Sequence, residues 1–121
     1  MTYIKINETL YPAIIRGYIN DSAWDNRASK TITLEMEYAL AAGIFTDGLS
    51  WSIVEDAVRR YTEIDDEGNI IEKTETYQNE YDNSAYNIAG DITDHRNGYL
   101  TVKMGKQTDL EEAYELLYGG I

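Results

Sequence analysis

Hydrophobic positions along this chain recur mostly with a period of two. Thr2–Ile6 and Leu10–Ile19 are extended, apolar-rich segments separated by Asn7-Glu8, which predicts a first hairpin. Pro12 lies within the second segment and, lacking an N–H, suits a sheet edge or an irregular position. Asn20–Ser29 reads as a polar loop. Thr31–Tyr38 then alternates, with Ile32, Leu34 and Met36 on one face and Thr31, Thr33, Glu35 and Glu37 on the other. One apolar face at that period predicts a half-buried strand. Ser50–Val54 (Trp51 and Ile53 on a common face), Val58–Ile64, Ile70–Tyr77, Tyr86–Thr93 and Tyr99–Met104 continue the strand pattern. The turn-forming runs Asp65–Asn69 and His95–Gly98 join the last four into two hairpins.

Two stretches depart from this period. Tyr38, Ala41, Ala42 and Phe45 fall at helical spacing before Asp47-Gly48 and predict a short central helix, weakened by Gly43. Near the C-terminus, Thr108 and Glu111 form a capping-box pattern, and Leu110, Ala113, Tyr114 and Leu117 repeat at i, i+3, i+4 and i+7. With Gly119-Gly120 as the stop, a helix of about ten residues is expected to cover one face of the sheet. The fold class is α+β in a single domain, residues 1–121. It is mainly antiparallel β, as a sheet, a sandwich or a partly closed barrel, with a short central and a C-terminal helix.

The Val58–Tyr77 hairpin does not fit a core. Symmetric pairing about Glu67 sets Ile64 opposite Ile70, Tyr61 opposite Lys73 and Arg59 opposite Glu75. One face of the first strand carries Arg60, Thr62 and Ile64, the other Arg59, Tyr61 and Glu63, so neither is apolar. A strand buried on one side alternates more cleanly. The hairpin either leaves the body to meet a partner or sits solvated at a sheet edge.

Charge narrows the function. Ten basic against 22 acidic residues give a formal charge of −12, which argues against a nucleic-acid backbone binder and against adsorption to anionic membranes. With no cysteine, the chain has no disulfide, thiolate metal site or cysteine nucleophile. A hydrophobic fraction of 43% suffices for a core, and no apolar run is long enough for a bilayer helix. The expectation is a soluble protein, cytoplasmic when synthesised.

Little in the sequence carries chemistry. The single histidine, His95, stands between Asp94 and Arg96 in a polar turn, and no serine has nucleophile context. Asp65-Asp66-Glu67-Gly68-Asn69 lacks the ligand alternation of a calcium loop and reads as a turn. Gly43, Gly48, Gly90 and Gly98 read as scattered stops and turns rather than a phosphate loop. No catalytic residue, metal ligand or cofactor site is assigned.

Eleven tyrosines and two tryptophans are the more telling feature. Trp51, Tyr38 and Tyr114 fall at core spacing, whereas Tyr77, Tyr81 and Tyr86 lie in a polar connector suited to an interface. The loop Asp21–Arg27 sets Trp24 beside Asp25 and Arg27. It is either a docking loop, with Trp24 as anchor and Arg27 as donor, or a plug whose arginine neutralises Asp21 or Asp25. The candidate interface residues are Trp24, Asp25, Arg27, Arg59, Tyr61, Tyr77 and Tyr81.

Several strings resemble a family of small prophage proteins of Gram-positive bacteria. They are Asn7-Glu8-Thr9-Leu10-Tyr11-Pro12-Ala13, Asp25-Asn26-Arg27-Ala28-Ser29-Lys30, Asp47-Gly48-Leu49-Ser50-Trp51-Ser52-Ile53-Val54, Glu80-Tyr81-Asp82-Asn83-Ser84, Thr101-Val102-Lys103-Met104-Gly105-Lys106 and Tyr118-Gly119-Gly120. The resemblance implies a phage origin in the tail or virion-morphogenesis region and carries over no catalytic residue. The expected function is a structural or interaction protein, a tail or virion-assembly component without catalytic activity. It binds itself as a homo-oligomer or neighbouring phage proteins, and becomes virion-associated after assembly. Its acidity predicts that assembly strengthens as salt screens the repulsion. The alternatives are an acidic decoy that inhibits a host nucleic-acid enzyme and a carbohydrate-binding module using Trp24 and exposed tyrosines.

Overall fold

A computed structural model describes residues 1–119, with side chains through residue 117. The first hairpin forms where the alternation and the turn agree. Strand β1 (Thr2–Ile6) meets β2 (Thr9–Asp21) across Asn7 and Glu8, both left-handed at φ 49° and 66°, the conformation a two-residue hairpin turn requires. Thr9–Pro12 pairs with β1, and from Ala13 onward the same strand pairs with β3 (Arg27–Glu35). Pro12 is therefore not on an edge strand. It sits at the hand-over, just before the β2–β3 ladder begins, where its missing N–H leaves no rung incomplete.

Helix α1 (Tyr38–Ile44) follows β3, then β4 (Ser52–Ile64), β5 (Ile70–Asp82), β6 (Ile88–Asp94), β7 (Tyr99–Gly105) and α2 (Asp109–Tyr114), which runs into a π-helical segment, Glu115–Gly119. The seven strands form one antiparallel sheet in the order β5-β4-β1-β2-β3-β7-β6. It is open, with β5 and β6 at its edges, so the barrel alternative does not hold. The expected segments Ser50–Val54 and Val58–Ile64 are parts of one strand, β4. Tyr77 and Tyr81 belong to β5 rather than to a connector.

Both halves of the sheet feed one core. Ile4 and Ile6 of β1, Ile32 and Leu34 of β3, and Leu100, Val102 and Met104 of β7 are buried with Trp51, as their alternation predicts. The Trp51 indole N–H donates to the carbonyl of Tyr86 at 2.9 Å, which satisfies its one polar atom in the core. Of the four residues at helical spacing in the central helix, Ala41 and Phe45 are buried while Tyr38 and Ala42 are exposed. Seven residues give α1 room to seat only one narrow face.

The C-terminal helix departs most from expectation. Its capping box is present: Glu111 N–H donates to Thr108 Oγ1 at 3.2 Å, and Thr108 N–H donates to Glu111 Oε1 at 2.9 Å. Yet Leu110, Tyr114 and Leu117 are 80%, 65% and 66% exposed, so this stripe does not cover the sheet. Ala41, Phe45 and Trp51 already occupy the core cluster, and no residue of α2 joins it. The expected stop at Gly119-Gly120 ends at Gly120, outside the described residues.

Candidate interface on the β4–β5 arm

Strands β4 and β5 pair through 13 consecutive rungs, from Ser52 opposite Asp82 to Ile64 opposite Ile70, without a register shift. Tyr61 faces Lys73 and Arg59 faces Glu75, the register that symmetry about Glu67 predicts. Strand β1 covers β4 only from Ser52 to Glu55, and one further hydrogen bond joins Asp56 N–H to the Met1 carbonyl at 3.0 Å. From Ala57 outward the two strands have no third neighbour among the described residues, which leaves an arm of about 26 Å.

Asp56 braces the root of this arm. Its two carboxylate oxygens accept from the Tyr3 hydroxyl of β1 at 3.2 Å and from Gln78 Nε2 of β5 at 3.0 Å. Lys5 Nζ of β1 adds a 3.0 Å bond to Glu80. At the tip, Asp65 Oδ1 accepts from the N–H groups of Glu67 and Asn69, at 2.9 and 2.7 Å, and Gly68 takes φ 82°. These bonds, the Asn69 N–H foremost, hold the Asp65 carboxyl below its ordinary range. The acidic run is thus a hydrogen-bonded turn.

The pairing collects four candidate residues on one face. Arg59, Tyr61, Tyr77 and Tyr81 all share the side of the ribbon that carries Ile53, which lies opposite buried Ile4. The face turned to the core within the body therefore continues outward as an uncovered face. Tyr77 and Tyr81 are 43% and 50% exposed, and Tyr61 is half-buried with the Arg59 guanidinium 5.0 Å from its ring centre. Aromatic rings with an arginine, uncovered and rooted on a rigid sheet, can supply broad contact area at low entropic cost.

Trp24, Asp25 and Arg27 lie elsewhere, and the fold uses two of them internally. The Asp21 carbonyl accepts from the N–H groups of Trp24 and Asn26, both at 2.9 Å, and Asp25 and Asn26 adopt positive φ. This tight loop lays the indole of Trp24 on Gly90 of β6 and Gly105 of β7. A Cβ at Gly90 would stand 2.8 Å from the indole, and one at Gly105 would stand 2.7 Å from it. Gly90 is thus a seat for Trp24, not a stop or a turn. The signal was in the sequence: glycine inside a strand pattern marks close approach by another group.

Arg27 is buried and 4.9 Å above Trp24, and donates to Glu111 Oε1 at 2.8 Å, Glu111 Oε2 at 3.4 Å and the Lys106 carbonyl at 3.3 Å. Its local partner Asp25 is farther away, at 3.8 Å, and exposed. Asp21 is met instead by Lys103 Nζ at 3.1 Å and Ser29 Oγ at 3.0 Å. Lys103 first, with help from Ser29 and the Ala23 N–H, holds the Asp21 carboxyl below its usual range. The Thr108 N–H and then Arg27 do the same for Glu111. This cluster ties the start of β3 to the start of α2.

Tyr86 also turns inward, packed on the core with Lys30 Nζ 5.2 Å from its ring centre. His95 is exposed in the β6–β7 turn and shares a 2.7 Å hydrogen bond with Thr101 Oγ1. Among the described residues no group of three or more metal-ligating side chains converges. None of their helices is long and apolar enough to cross a membrane. An open cleft of about 980 Å³ lies between the start of α1 and the β6–β7 turn, lined by Tyr11, Tyr38 and Tyr99 with Glu35, Glu37 and Asp94. No family model, curated protein or solved structure matches this chain.

Proposed function

We propose that this chain is a non-catalytic interaction protein whose β4–β5 arm binds another protein. The observation that carries this reading is the uncovered Arg59–Tyr61–Tyr77 face of a braced, two-stranded projection, continued at its root by Tyr81. A two-stranded ribbon is marginal in water, so a chain that carries the β4–β5 ladder on from Ala57 to Ile64, beyond the reach of β1, gains most when a partner covers it. In keeping with the resemblance to prophage proteins, the partner we propose is a component of a tail or an assembling virion.

The test is site-specific photo-crosslinking in the cells that produce the protein. A benzophenone side chain replacing Tyr61 is expected to yield a protein adduct, and one replacing Tyr3, at the braced root, none. Arg59→Ser with Tyr77→Ser should abolish the adduct while leaving the melting temperature nearly unchanged. Equal adducts from Tyr61 and Tyr3, or none from Tyr61, would overturn the reading. A second reading, carbohydrate binding, draws on the tyrosine- and carboxylate-lined cleft rather than on Trp24. A glycan array, with Tyr38→Ala and Tyr99→Ala as controls, tests it.

A further inference from the structure

The two edges of the sheet are unlike. Strand β6 is seven residues long, and its register slips between Ala89 and Ile92, an irregularity that discourages further pairing. Strand β5 is 13 residues long, contains no proline, and follows β4 without a slip. Such an edge invites another strand.

Which backbone groups face outward follows from the hydrogen-bond alternation. Asp65 N–H bonds the Asn69 carbonyl at one end of the hairpin, and Asn83 N–H bonds the Trp51 carbonyl at the other. Both place the bonds to β4 on the odd-numbered residues of β5. The N–H and C=O groups of Ile70, Glu72, Thr74, Thr76 and Gln78 therefore point away from β4 along the open edge.

We propose that two copies of this chain join edge to edge through β5, antiparallel, about a two-fold axis at Thr74. The inference rests on the arm as a protein-binding element and names its partner. In this register Thr74 faces the partner's Thr74, Glu72 faces the partner's Thr76, and Ile70 faces the partner's Gln78, all through outward-pointing backbone groups. Between them Lys73 opposes the partner's Glu75, and Ile71 opposes the partner's Tyr77, each twice by symmetry, at the closer non-bonded positions. An axis on any other residue from Glu72 to Tyr77 sets like charges opposite. Glu72, Lys73 or Glu75 would face its own copy, Thr76 would set Glu72 against the partner's Glu80, and Tyr77 would set it against the partner's Asp82.

The approach is also open electrostatically. Along residues 57–64 and 70–77, Arg59, Arg60 and Lys73 balance Glu63, Glu72 and Glu75, so the shaft is neutral in a chain of charge −12.

Because the chain has no cysteine, Thr74→Cys and Thr76→Cys each introduce a single thiol. Under mild oxidation T74C is expected to form a covalent dimer. T76C is not, since its two thiols would lie about 14 Å apart along the strands. Charge reversal gives an independent readout by light scattering. K73E or E75K alone opposes like charges and should weaken the dimer roughly tenfold, and mixing the two variants should restore dimer as a heterodimer. Equal cross-linking of T74C and T76C, or a mixture no tighter than its components, would overturn the register. A wild-type mass that stays at 13.8 kDa at all concentrations would overturn the second copy as partner. With a Tyr61 adduct to a different protein, that result leaves the arm's function standing; with no adduct at all, both fall.

Discussion

Two arginine–aromatic pairs in this chain have nearly the same geometry and opposite surroundings. Arg27 lies 4.9 Å from the Trp24 ring and Arg59 lies 5.0 Å from the Tyr61 ring. The first pair is closed in by Gly90, Gly105 and Glu111; the second stands on a ribbon with no third strand. Short-range chemistry therefore does not distinguish a plug from a contact surface. What differs is whether distant parts of the chain supply a seat.

The sharpest way to break this comparison is to truncate both pairs. Trp24→Ala should cost about 3 kcal/mol in thermal unfolding, because it empties the indole seat. Arg59→Ser with Tyr61→Ser should cost about 1 kcal/mol or less, because these side chains are only partly covered. Comparable losses would mean that the arm is as much a part of the folded body as the Trp24 loop.

Filling the seat is the next test. Gly105→Ala puts a methyl 2.7 Å from the indole and 2.8 Å from Arg27 Cδ, and should cost about 1–3 kcal/mol by overpacking. Gly68→Ala at the arm tip has open space but a positive φ, so it should perturb only the turn. Differential scanning calorimetry of the two variants checks the contrast.

Acid should weaken the part-buried cluster of Asp21, Arg27 and Glu111 in a defined direction. Asp21 and Glu111 have folded pKa values below their unfolded ones. Their contribution to stability is therefore complete above the ordinary carboxylate range and is lost as pH falls through the folded values. Melting temperature should drop across that acid window, and Asp21→Asn should flatten the drop. An unchanged acid slope in D21N would remove Asp21 from this role.

The smallest effect is expected at the C-terminal helix. Leu110→Asp with Leu117→Asp should shift stability by about 0.5 kcal/mol or less, since both side chains are mostly in water already. A large drop in the melting temperature of this double variant would mean that the stripe packs on the sheet after all.

Much of the fold was legible because it is written at short range. The alternation of Ile32 and Leu34, and of Leu100, Val102 and Met104, specified strands and their buried faces. The turn at Asp65–Asn69 specified the β4–β5 register to the residue. The stripe of Leu110, Tyr114 and Leu117 misled, because periodicity reports which face is apolar and not whether the core has space for it. The interface candidates divided for the same reason: Arg59, Tyr61, Tyr77 and Tyr81 came together through strand pairing, while Trp24 and Arg27 turned to partners at positions 90, 105 and 111.

By itself, then, the sequence determined most of the local elements, the register of the central hairpin and the chain's acidity, since each depends on neighbours within a few residues or on composition alone. The tertiary structure alone decided the strand order, the point where β1 stops covering β4, and the bulged or straight character of the two edges. Those depend on contacts between segments far apart in the chain, where burial and space are shared among elements and no local pattern records the outcome.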